Sequence, residues 1–523
     1  MKRQPWFQVA VAAGLGALLV CAAPAGQPDV PAAGEAADAS TSAVTNLPVG
    51  GTLVLSIDRC LELALGGNIE IELARREPMR AGEDFFIAGE SFVPVFSLEG
   101  AYGERESRTA NTQSGASILE EEESVVAGRL GKRWQTGTRT DLVWAYSKRE
   151  DNSEFRTLNP AHESSVGIEV IQPLLKDFGR GVNRTAIART LQRRVIADRE
   201  FDLALESELL SVYRDYWTLV RVATDLDLQE ASLVLAEDQL VLASNQWSAG
   251  VVPELEVTTA EAAVARQSEA VIRARNLYRK RSDLLLYKIA PSTDAFRRNL
   301  GILPSSSPAT TNVVVDIPAL GNAITVALKH RPELELESAQ IALADIDVTE
   351  AVNARRPQLD LFGRYGFNGL AASVGDSLDD ISNTEFPEWR VGVSLEFLFD
   401  SRSRKARWRK AVLAYEDAEI RARRAAALIA LEVRAAVFDL EAASERLAAA
   451  ERSLVLAREQ YEGEADRLSV GRSTVFRVDA FRRDLLQAER NRLDAAVDIF
   501  VAKAVMQAAQ GVFTDTVVRG PGD

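Results

Sequence analysis

A chain of 523 residues, 46% of them hydrophobic, has enough apolar material for a large core or several domains. Its formal net charge of −15 argues against a nucleic-acid-binding protein, because a phosphate backbone needs a basic surface. With only two cysteines and two histidines in the sequence, we expect neither a disulfide framework nor a metal site.

The N-terminus has the features of a secretory signal peptide, which we assign to residues 1–23. Lys2 and Arg3 precede an apolar run over residues 9–20, which is too short to span a bilayer as a permanent helix. Residues 24–50, rich in Ala, Pro, Gly and Ser, are interpreted as a flexible leader. The chain is therefore expected to be exported.

The two cysteines have different interpretations. The letters LLVC ending at Cys21 are similar to a lipoprotein box, which predicts lipid attachment, although Val20 stands where a small residue is expected. The alternative is a cysteine inside a discarded signal peptide. Cys60, in the sequence IDRCLELAL, is interpreted as a small buried apolar residue on a helix face.

The rest of the chain contains an internal sequence repeat. Residues 53–79 and 315–341 share helical periodicity, and identical residues recur at a constant offset of 263. These pairs include Ala64 with Ala327, Leu65 with Leu328, Glu70 with Glu333, Leu73 with Leu336, Pro94 with Pro357, Leu98 with Leu361, Gly100 with Gly363 and Tyr102 with Tyr365. Each proline ends a helical pattern, because proline lacks a backbone N–H and favours extended geometry before it.

Strict alternation after each proline predicts a strand. After Pro357, one face receives Leu359, Leu361, Gly363, Tyr365 and Phe367, and the other face receives Asp360 and Arg364. Alternating strands of about ten residues with aromatic ends are typical of a membrane β-barrel, and a water-soluble sheet is the alternative. Since the few strands of one chain cannot close a pore and strand edges cannot stay unpaired in lipid, we expect an oligomer.

A second offset, of 221, relates two heptad series that predict long coiled-coil-like helices. The series are Val212, Leu219, Leu226, Leu233, Leu240 and Trp247 in the first repeat, and Val433, Leu440, Leu447, Leu454, Tyr461 and Leu468 in the second. A single helix over 181–248 would be ~100 Å long. Because a glycine follows each series, at Gly250 and Gly471, we predict two helical hairpins with glycine-centred tips.

The two offsets differ by 42 (263 − 221), so the first repeat has extra residues between its opening strand and its long helices. We place them in an additional β-hairpin over residues 130–152, with a turn at the letters QTGT. This leaves the number of barrel strands per chain at four or six. The charged run 120–123 is interpreted as a solvated loop, with a cation-attracting pore mouth as the alternative.

The repeats divide the chain after the leader into eight segments. In the first repeat these are short helices over 51–91, strands with the extra hairpin over 92–172 and a helical hairpin over 173–290. A linker over 291–318 follows. The second repeat has short helices over 319–356, a β-hairpin over 357–399 and a helical hairpin over 400–511, before a tail over 512–523.

Residues 51–512 resemble the TolC-type outer-membrane efflux protein family. The resemblance rests on motifs that occur once per repeat: the openings LALGGNIEIE and VALKHRPELE, the strand entries PVFSLEGAYG and PQLDLFGRYG, the strand exits IQPLLKDFGRG and LEFLFDSRSR, and the two tips. It implies a homotrimer in the outer membrane, with one shared β-barrel and a periplasmic α-helical tunnel. It also implies that the protein is an exit duct. Since the sequence contains no nucleophile motif, metal-ligand spacing or phosphate loop, we expect neither an enzyme nor a cofactor.

The resemblance also implies partners and functional residues. The expected partners are a periplasmic membrane-fusion adaptor, an inner-membrane pump of the resistance-nodulation-division or ABC class, and outer-membrane lipid. Candidate adaptor-docking residues are Gly250, Val251, Val252, Gly471, Arg472, Ser473 and Thr474. Candidate gate residues are Glu256, Arg477 and Asp479, although Arg477 stands where the family often has an acidic residue. An exported periplasmic coiled-coil scaffold without a pore is the alternative function.

Overall fold

The structure is a computed structural model that describes residues 51–109, 115–297, 300–306, 316–469 and 472–519. The predicted signal peptide with Cys21, the leader and the tip residue Gly471 all lie outside these ranges.

Each repeat opens with two short helices. They are α1 (Ile57–Gly67) and α2 (Ile69–Gly89) in the first repeat, and α7 (Leu320–His330) and α8 (Pro332–Ala354) in the second. In the first repeat the break between them is fixed by Asn68, whose side-chain oxygen accepts hydrogen bonds from the backbone N–H groups of Glu70 and Ile71. In the second repeat Pro332 occupies the first turn of α8, where its missing N–H costs nothing.

A six-stranded antiparallel sheet follows these short helices. Its strands are β2 (Val95–Arg108), β3 (Ile118–Arg133), β4 (Arg139–Asp151), β5 (Ala161–Pro173), β7 (Gln358–Ala371) and β8 (Pro387–Glu396), in the order β2-β3-β4-β5-β7-β8. The sheet of one chain therefore has six strands rather than four in the described residues. Strands β2 and β8 form the two edges of the sheet, and each has one side without a strand partner in the part of the chain that the structure describes.

The inserted hairpin consists of β3 and β4 and begins earlier than residues 130–152. The interpretation of residues 120–123 as a solvated loop is wrong, because they lie within β3. The strand tolerates these charges because Arg149, on β4, pairs with Glu121 at 3.0 Å and with Glu123 at 2.8 Å. Such cross-strand pairing has no periodic signature in the sequence.

Two segments contain more structure than predicted. Within the predicted linker lie α6 (Thr293–Arg297) and β6 (Gly301–Pro304), and β6 pairs in parallel with β1 (Thr52–Leu55). Within the predicted tail lies α12 (Phe513–Arg519). Strands of four residues are too short for alternation to predict them, and their pairing partner is about 250 residues away in sequence.

The long helices form two hairpins. They are α4 (Thr185–Ser248) with α5 (Glu254–Ile289), and α10 (Arg402–Ser469) with α11 (Val475–Ala509). The 64 residues of α4 span ~96 Å. The expected single helix over 181–248 is divided at Arg184, after the single turn α3 (Arg180–Asn183). Within the described ranges, no helix combines the length and the apolar character needed to cross a membrane.

The buried core lies where the short helices pack on the hairpins. In the first repeat Cys60 and Leu61 of α1 are buried, as are Val212 and Leu219 of α4. In the second repeat Ala323 and Ala327 of α7 pack on a cluster from α10 and α11 that includes Val433, Leu440 and Met506. Heptad positions farther along the hairpins are less buried, and Trp247 near the first tip is exposed. The large apolar side chains of the hairpins are thus most buried beside the short helices, whereas small residues such as Ala236 and Ala243 are buried nearer the first tip.

A further helix, α9 (Val374–Ser382), connects β7 to β8 and was not predicted. It packs against β5 and β7, where the buried hydroxyl groups of Ser377 and Ser164 are 2.8 Å apart. Gly369 of β7 permits this contact, because a Cβ there would collide with the backbone of Ser377.

Candidate functional site: hairpin tips and sheet faces

The first tip is closed by backbone hydrogen bonds around Gly250. Its φ of +75° is favourable only for glycine, and its N–H donates to the carbonyl oxygen of Trp247 at 2.8 Å. The next N–H, of Val251, donates to the carbonyl oxygen of Gln246 at 2.9 Å. The side chains of Val251 and Leu255 are 71% and 72% exposed, so this tip presents apolar surface to solvent.

The second tip closes in the same way. The N–H of Arg472 donates to the carbonyl oxygen of Arg467 at 2.8 Å. These two residues correspond, at the offset of 221, to Val251 and Gln246, which form the same hydrogen bond at the first tip. The next backbone hydrogen bonds also match. The N–H of Glu256 donates to the carbonyl oxygen of Pro253, and the N–H of Arg477 donates to the carbonyl oxygen of Thr474. The predicted equivalence of the two tips therefore extends to individual backbone hydrogen bonds.

The side chains of the second tip differ from those of the first. Glu464 is a carboxylate that is only 4% exposed, and it accepts hydrogen bonds from Ser473 Oγ at 2.6 Å and from Arg467 Nη1 at 3.2 Å. Arg477 Nε lies 3.5 Å from the same carboxylate. We call these four residues the second-tip clasp. The matching position in the first repeat is the buried Ala243, so the clasp occurs at one tip only.

The clasp favours the ionised form of its carboxyl group. Donation from the Ser473 hydroxyl lowers the pKa of Glu464, burial opposes this, and the neighbouring Arg477 and Arg467 guanidinium groups lower it further. The clasp joins α10 to α11 across the turn, so it fixes the relative position of the two helices where they approach the tip.

The three candidate gate residues are not brought together within one chain. Arg477 belongs to the clasp, and Asp479 pairs with Arg482 at 2.7 Å and with Arg483 at 3.6 Å on its own helix. Glu256 lies in the first turn of α5, on the other hairpin. In the ranges that the structure describes, no ion pair joins Glu256 to either of the other two.

Sequence reasoning missed Glu464, although a signal for it existed. An acidic residue stands where the offset of 221 places Ala243 in the other repeat, between the heptad positions Tyr461 and Leu468 and three residues after the first of them, which is an apolar position of a heptad. A charge at such a position is stable only if partners surround it, which indicates a cluster.

The six-stranded sheet has one apolar face. Residues that are opposite each other in neighbouring strands have their side chains on the same face of the sheet. Five such residues, one from each of β2, β3, β4, β5 and β7, are paired in succession on this face: Leu98, Gly128, Trp144, Val166 and Phe367. Exposed large apolar residues on it are Phe96, Leu98, Tyr102, Leu142, Trp144, Ile168, Leu361, Tyr365, Trp389, Val391, Val393 and Leu395. An apolar surface of this extent needs an apolar environment such as lipid.

The opposite face is charged and internally paired. Glu169 of β5 lies between two arginines, with Arg129 Nη2 at 3.8 Å and Arg364 Nη1 at 3.5 Å. Arg139 of β4 pairs with Asp141 at 2.8 Å. One face suited to lipid and one suited to water is the pattern of a membrane barrel wall.

Within the described part of the chain, no group of three or more His, Cys, Asp or Glu residues is arranged to hold a metal ion.

Comparison with known proteins agrees with this architecture. Residues 323–512 match the family model described as outer membrane efflux protein. No curated protein matches the chain significantly.

Solved structures of bacterial outer-membrane proteins share the fold at low sequence identity. The Campylobacter jejuni CmeC outer membrane channel matches with a TM-score of 0.65 and 15% identity, covering 87% of this chain and 86% of its own. The Vibrio cholerae outer membrane protein VceC matches with a TM-score of 0.61 and 16% identity, covering 87% and 96%. The Neisseria gonorrhoeae MtrE outer membrane channel in its open state matches with a TM-score of 0.62 and 15% identity, covering 87% and 89%.

Proposed function

We propose that the chain, whose residues 323–512 match the outer membrane efflux protein model, is a member of that family and that three copies of it form an exit duct through the outer membrane. The observation that supports this best is a sheet with one apolar face, one charged face and two unpaired edges, which continues directly into helices of ~100 Å. In lipid the edges must be paired, and pairing β2 of one copy with β8 of the next closes the sheet into a barrel.

The helices support the same assembly. Within one chain they pack in the order α2, α4, α8 and α10, which forms an arc with a free side at each end. Both end helices expose large apolar residues, such as Phe86 and Ile87 on α2 and Leu413 and Ile420 on α10. Contact between α10 of one copy and α2 of the next covers these residues and closes the arcs into a tunnel.

The tips are the proposed site for a partner. They lie at the far ends of the long helices from the sheet, and the first tip exposes apolar Val251 and Leu255. We propose that a periplasmic membrane-fusion adaptor docks on the residues around Gly250 and Gly471, including Arg472, Ser473 and Thr474. An inner-membrane pump of the resistance-nodulation-division or ABC class would supply the energy and select the substrate.

Opening of the duct would be controlled near the tips. The proposed gate comprises Glu256, Arg477 and Asp479, with Glu464 positioning Arg477. Because one exposed ion pair contributes only about 1 kcal/mol or less, adaptor binding at the tips can supply enough energy to shift the closed state toward an open one.

Membrane extraction followed by conductance measurement tests the proposal. A duct stays in the outer-membrane fraction after carbonate and salt washes, requires detergent for release and conducts ions in planar bilayers. A periplasmic coiled-coil scaffold would be released by carbonate or salt and would not conduct. That second outcome would overturn the proposed duct.

A further inference from the structure

We propose that the inserted hairpin β3–β4 is part of the barrel wall, so that the shared barrel has eighteen strands and the duct has a wide, porin-like outer section. The inference rests on the proposed trimer, in which three chains of six strands close one barrel. It concerns the size of cargo that the barrel admits, which the number of strands determines.

The hairpin is hydrogen-bonded into the sheet along its whole length. β3 pairs with β2 over fourteen consecutive residues, from Arg108 with Ile118 to Val95 with Gly131. β4 pairs with β5 over eleven, from Arg149 with Ala161 to Arg139 with Ile171. A flap that projected from the barrel would leave β2 and β5 to pair with each other, which they do not do here.

The two faces of the hairpin continue the two faces of the sheet. Its apolar side chains, Leu130, Leu142, Trp144 and Tyr146, are on the same face as Leu98 of β2. On the other face lie Arg129 and Asp141, and there Arg149 pairs with Glu121 and Glu123. The charged residues on the apolar face, such as Glu122, Lys132 and Lys148, lie near the ends of the strands. A hairpin surrounded by water on both sides would not need this division, whereas a wall between lipid and a pore requires it.

The turn of the hairpin is anchored to the helical section. The N–H of Gly179 donates to the carbonyl oxygen of Thr136 at 3.0 Å, and Arg133 Nη2 donates to Asn183 Oδ1 at 2.9 Å. Gly137 has a φ of +93°, and a Cβ there would collide with the carbonyl oxygen of Asp177. The turn therefore fits closely against the start of the long helix, at the height where barrel and tunnel meet.

The dimensions of the two sections favour eighteen strands. Twelve helices in a ring, four from each chain, at the usual 8–10 Å spacing give a tunnel about 31–38 Å across between helix axes. Eighteen strands at the usual spacing and tilt give a barrel about 34–39 Å across, whereas twelve strands give about 22–26 Å. With the inserted hairpin, barrel and tunnel have similar diameters and join without a step.

The second repeat provides a matched control for an experiment. It joins β7 to β8 through residues 372–386, and the apolar positions of β7 and β8 share one face just as those of β2 and β5 do. A graft variant in which residues 372–386 replace residues 109–161 would therefore connect β2 directly to β5 with both faces preserved, because Glu104 would then lie opposite His162 and both belong to the face of Leu98. Three such chains would form a twelve-stranded barrel.

Electron cryo-microscopy of the purified wild-type protein and polymer exclusion in planar bilayers test the proposal together. We expect a threefold barrel with eighteen strands, and we expect wild-type channels to admit polyethylene glycols about 1.5-fold larger in radius from the barrel side than channels of the graft variant.

A threefold barrel of twelve strands with β3–β4 outside the wall would overturn this inference and leave the exit duct intact. Equal polymer cut-offs in two assembled trimers would also overturn it. A particle without a shared barrel would instead overturn the proposed function. If the graft variant fails to assemble, the strand count of the wild-type protein decides the question alone.

Discussion

Asp177 and Asn353 form a pair of hydrogen bonds that joins the two repeats at the boundary between sheet and helices. The Asp177 N–H donates to Asn353 Oδ1 at 2.9 Å, and Asn353 Nδ2 donates to Asp177 Oδ1 at 2.7 Å. Asn353 is buried near the end of α8, just before the strand entry at Pro357. Asp177, at a φ of +63°, follows the exit of β5 and also contacts the turn of the inserted hairpin. Three segments therefore meet at these two residues, through the backbone and the side chain of Asp177 and the side chain of Asn353.

Asn353→Ala should destabilise the assembled protein by about 1–3 kcal/mol, because it removes two hydrogen bonds, one of them to a part-buried backbone N–H, and leaves a cavity at the buried Asn353 site. The measurement is the thermal midpoint of the detergent-solubilised oligomer at fixed heating rate. Asn491→Ala is the control, since Asn491 is exposed and bonds only to Gln487 among the contacts described. An equal midpoint for the two variants would contradict a structural role for the Asp177–Asn353 pair.

Arg477→Ala should increase single-channel conductance or open probability in planar bilayers without changing oligomer stability. The expected increase is at most about fivefold, because an exposed ion pair contributes about 1 kcal/mol or less. Glu464→Ala should have the larger effect, since it removes all three interactions of the clasp.

Glu256→Ala tests whether the first tip contributes to the gate as the second tip does. Glu256 is the first-repeat equivalent of Arg477, and Ala243 is the first-repeat equivalent of Glu464, so Glu256 has no clasp carboxylate beside it. We expect this variant to change conductance less than Arg477→Ala. Unaltered conductance in Glu256→Ala, Arg477→Ala, Glu464→Ala and the double variant of Glu256 and Arg477 would remove the gate assignment and leave the duct itself in place.

Leu361→Arg should impair assembly in the outer membrane by ~2–4 kcal/mol if the residue lies near the middle of the bilayer. Leu361 is on the apolar face of β7 and is 40% exposed in a single chain. Asn368→Arg, on the opposite face of the same strand, is the control and should assemble normally. Measurement of oligomer yield in the outer-membrane fraction compares the two, and a reversed order would show that the faces are exchanged.

Glu206 should make stability depend on pH. Burial on α4 raises the pKa of Glu206 to about 7; the charge of Arg331 lowers this pKa and the charge of Glu333 raises it further. The Oε1 atom of Glu206 is buried and has no hydrogen-bond partner. Since the folded protein retains this proton at pH values where the unfolded chain has lost it, stability should fall as the pH rises from about 4.5 to about 7 and stay level above that.

Glu206→Gln should therefore remove this slope and stabilise the protein above pH 7, by a free energy on the order of 3 kcal/mol. Thermal midpoints of the oligomer between pH 5 and pH 8 measure it, with Glu237→Gln, at an exposed position of the same helix, as control. A wild-type slope that persists in Glu206→Gln would exclude this carboxyl group as its origin.

The features that the sequence predicted are those with a repeating pattern. The offset of 221 predicted that Arg472 is the second-repeat equivalent of Val251, and the structure has the same backbone hydrogen bond at both positions. Alternation after Pro357 predicted β7 and its two faces. By contrast, the pairing of β1 with β6, the helix α9 and the clasp around Glu464 depend on contacts between single residues, which leave no periodic signal. The start of β3 was missed because its glutamates are stabilised by Arg149 from another strand.

The molar mass of the detergent-solubilised protein tests the central claim most directly. Light scattering with correction for bound detergent should give three times the mass of one chain, together with a circular-dichroism signal that contains the β-sheet contribution. This is expected because the edges of β2 and β8 cannot remain unpaired in lipid. A monomer with an intact β-sheet signal would contradict the account.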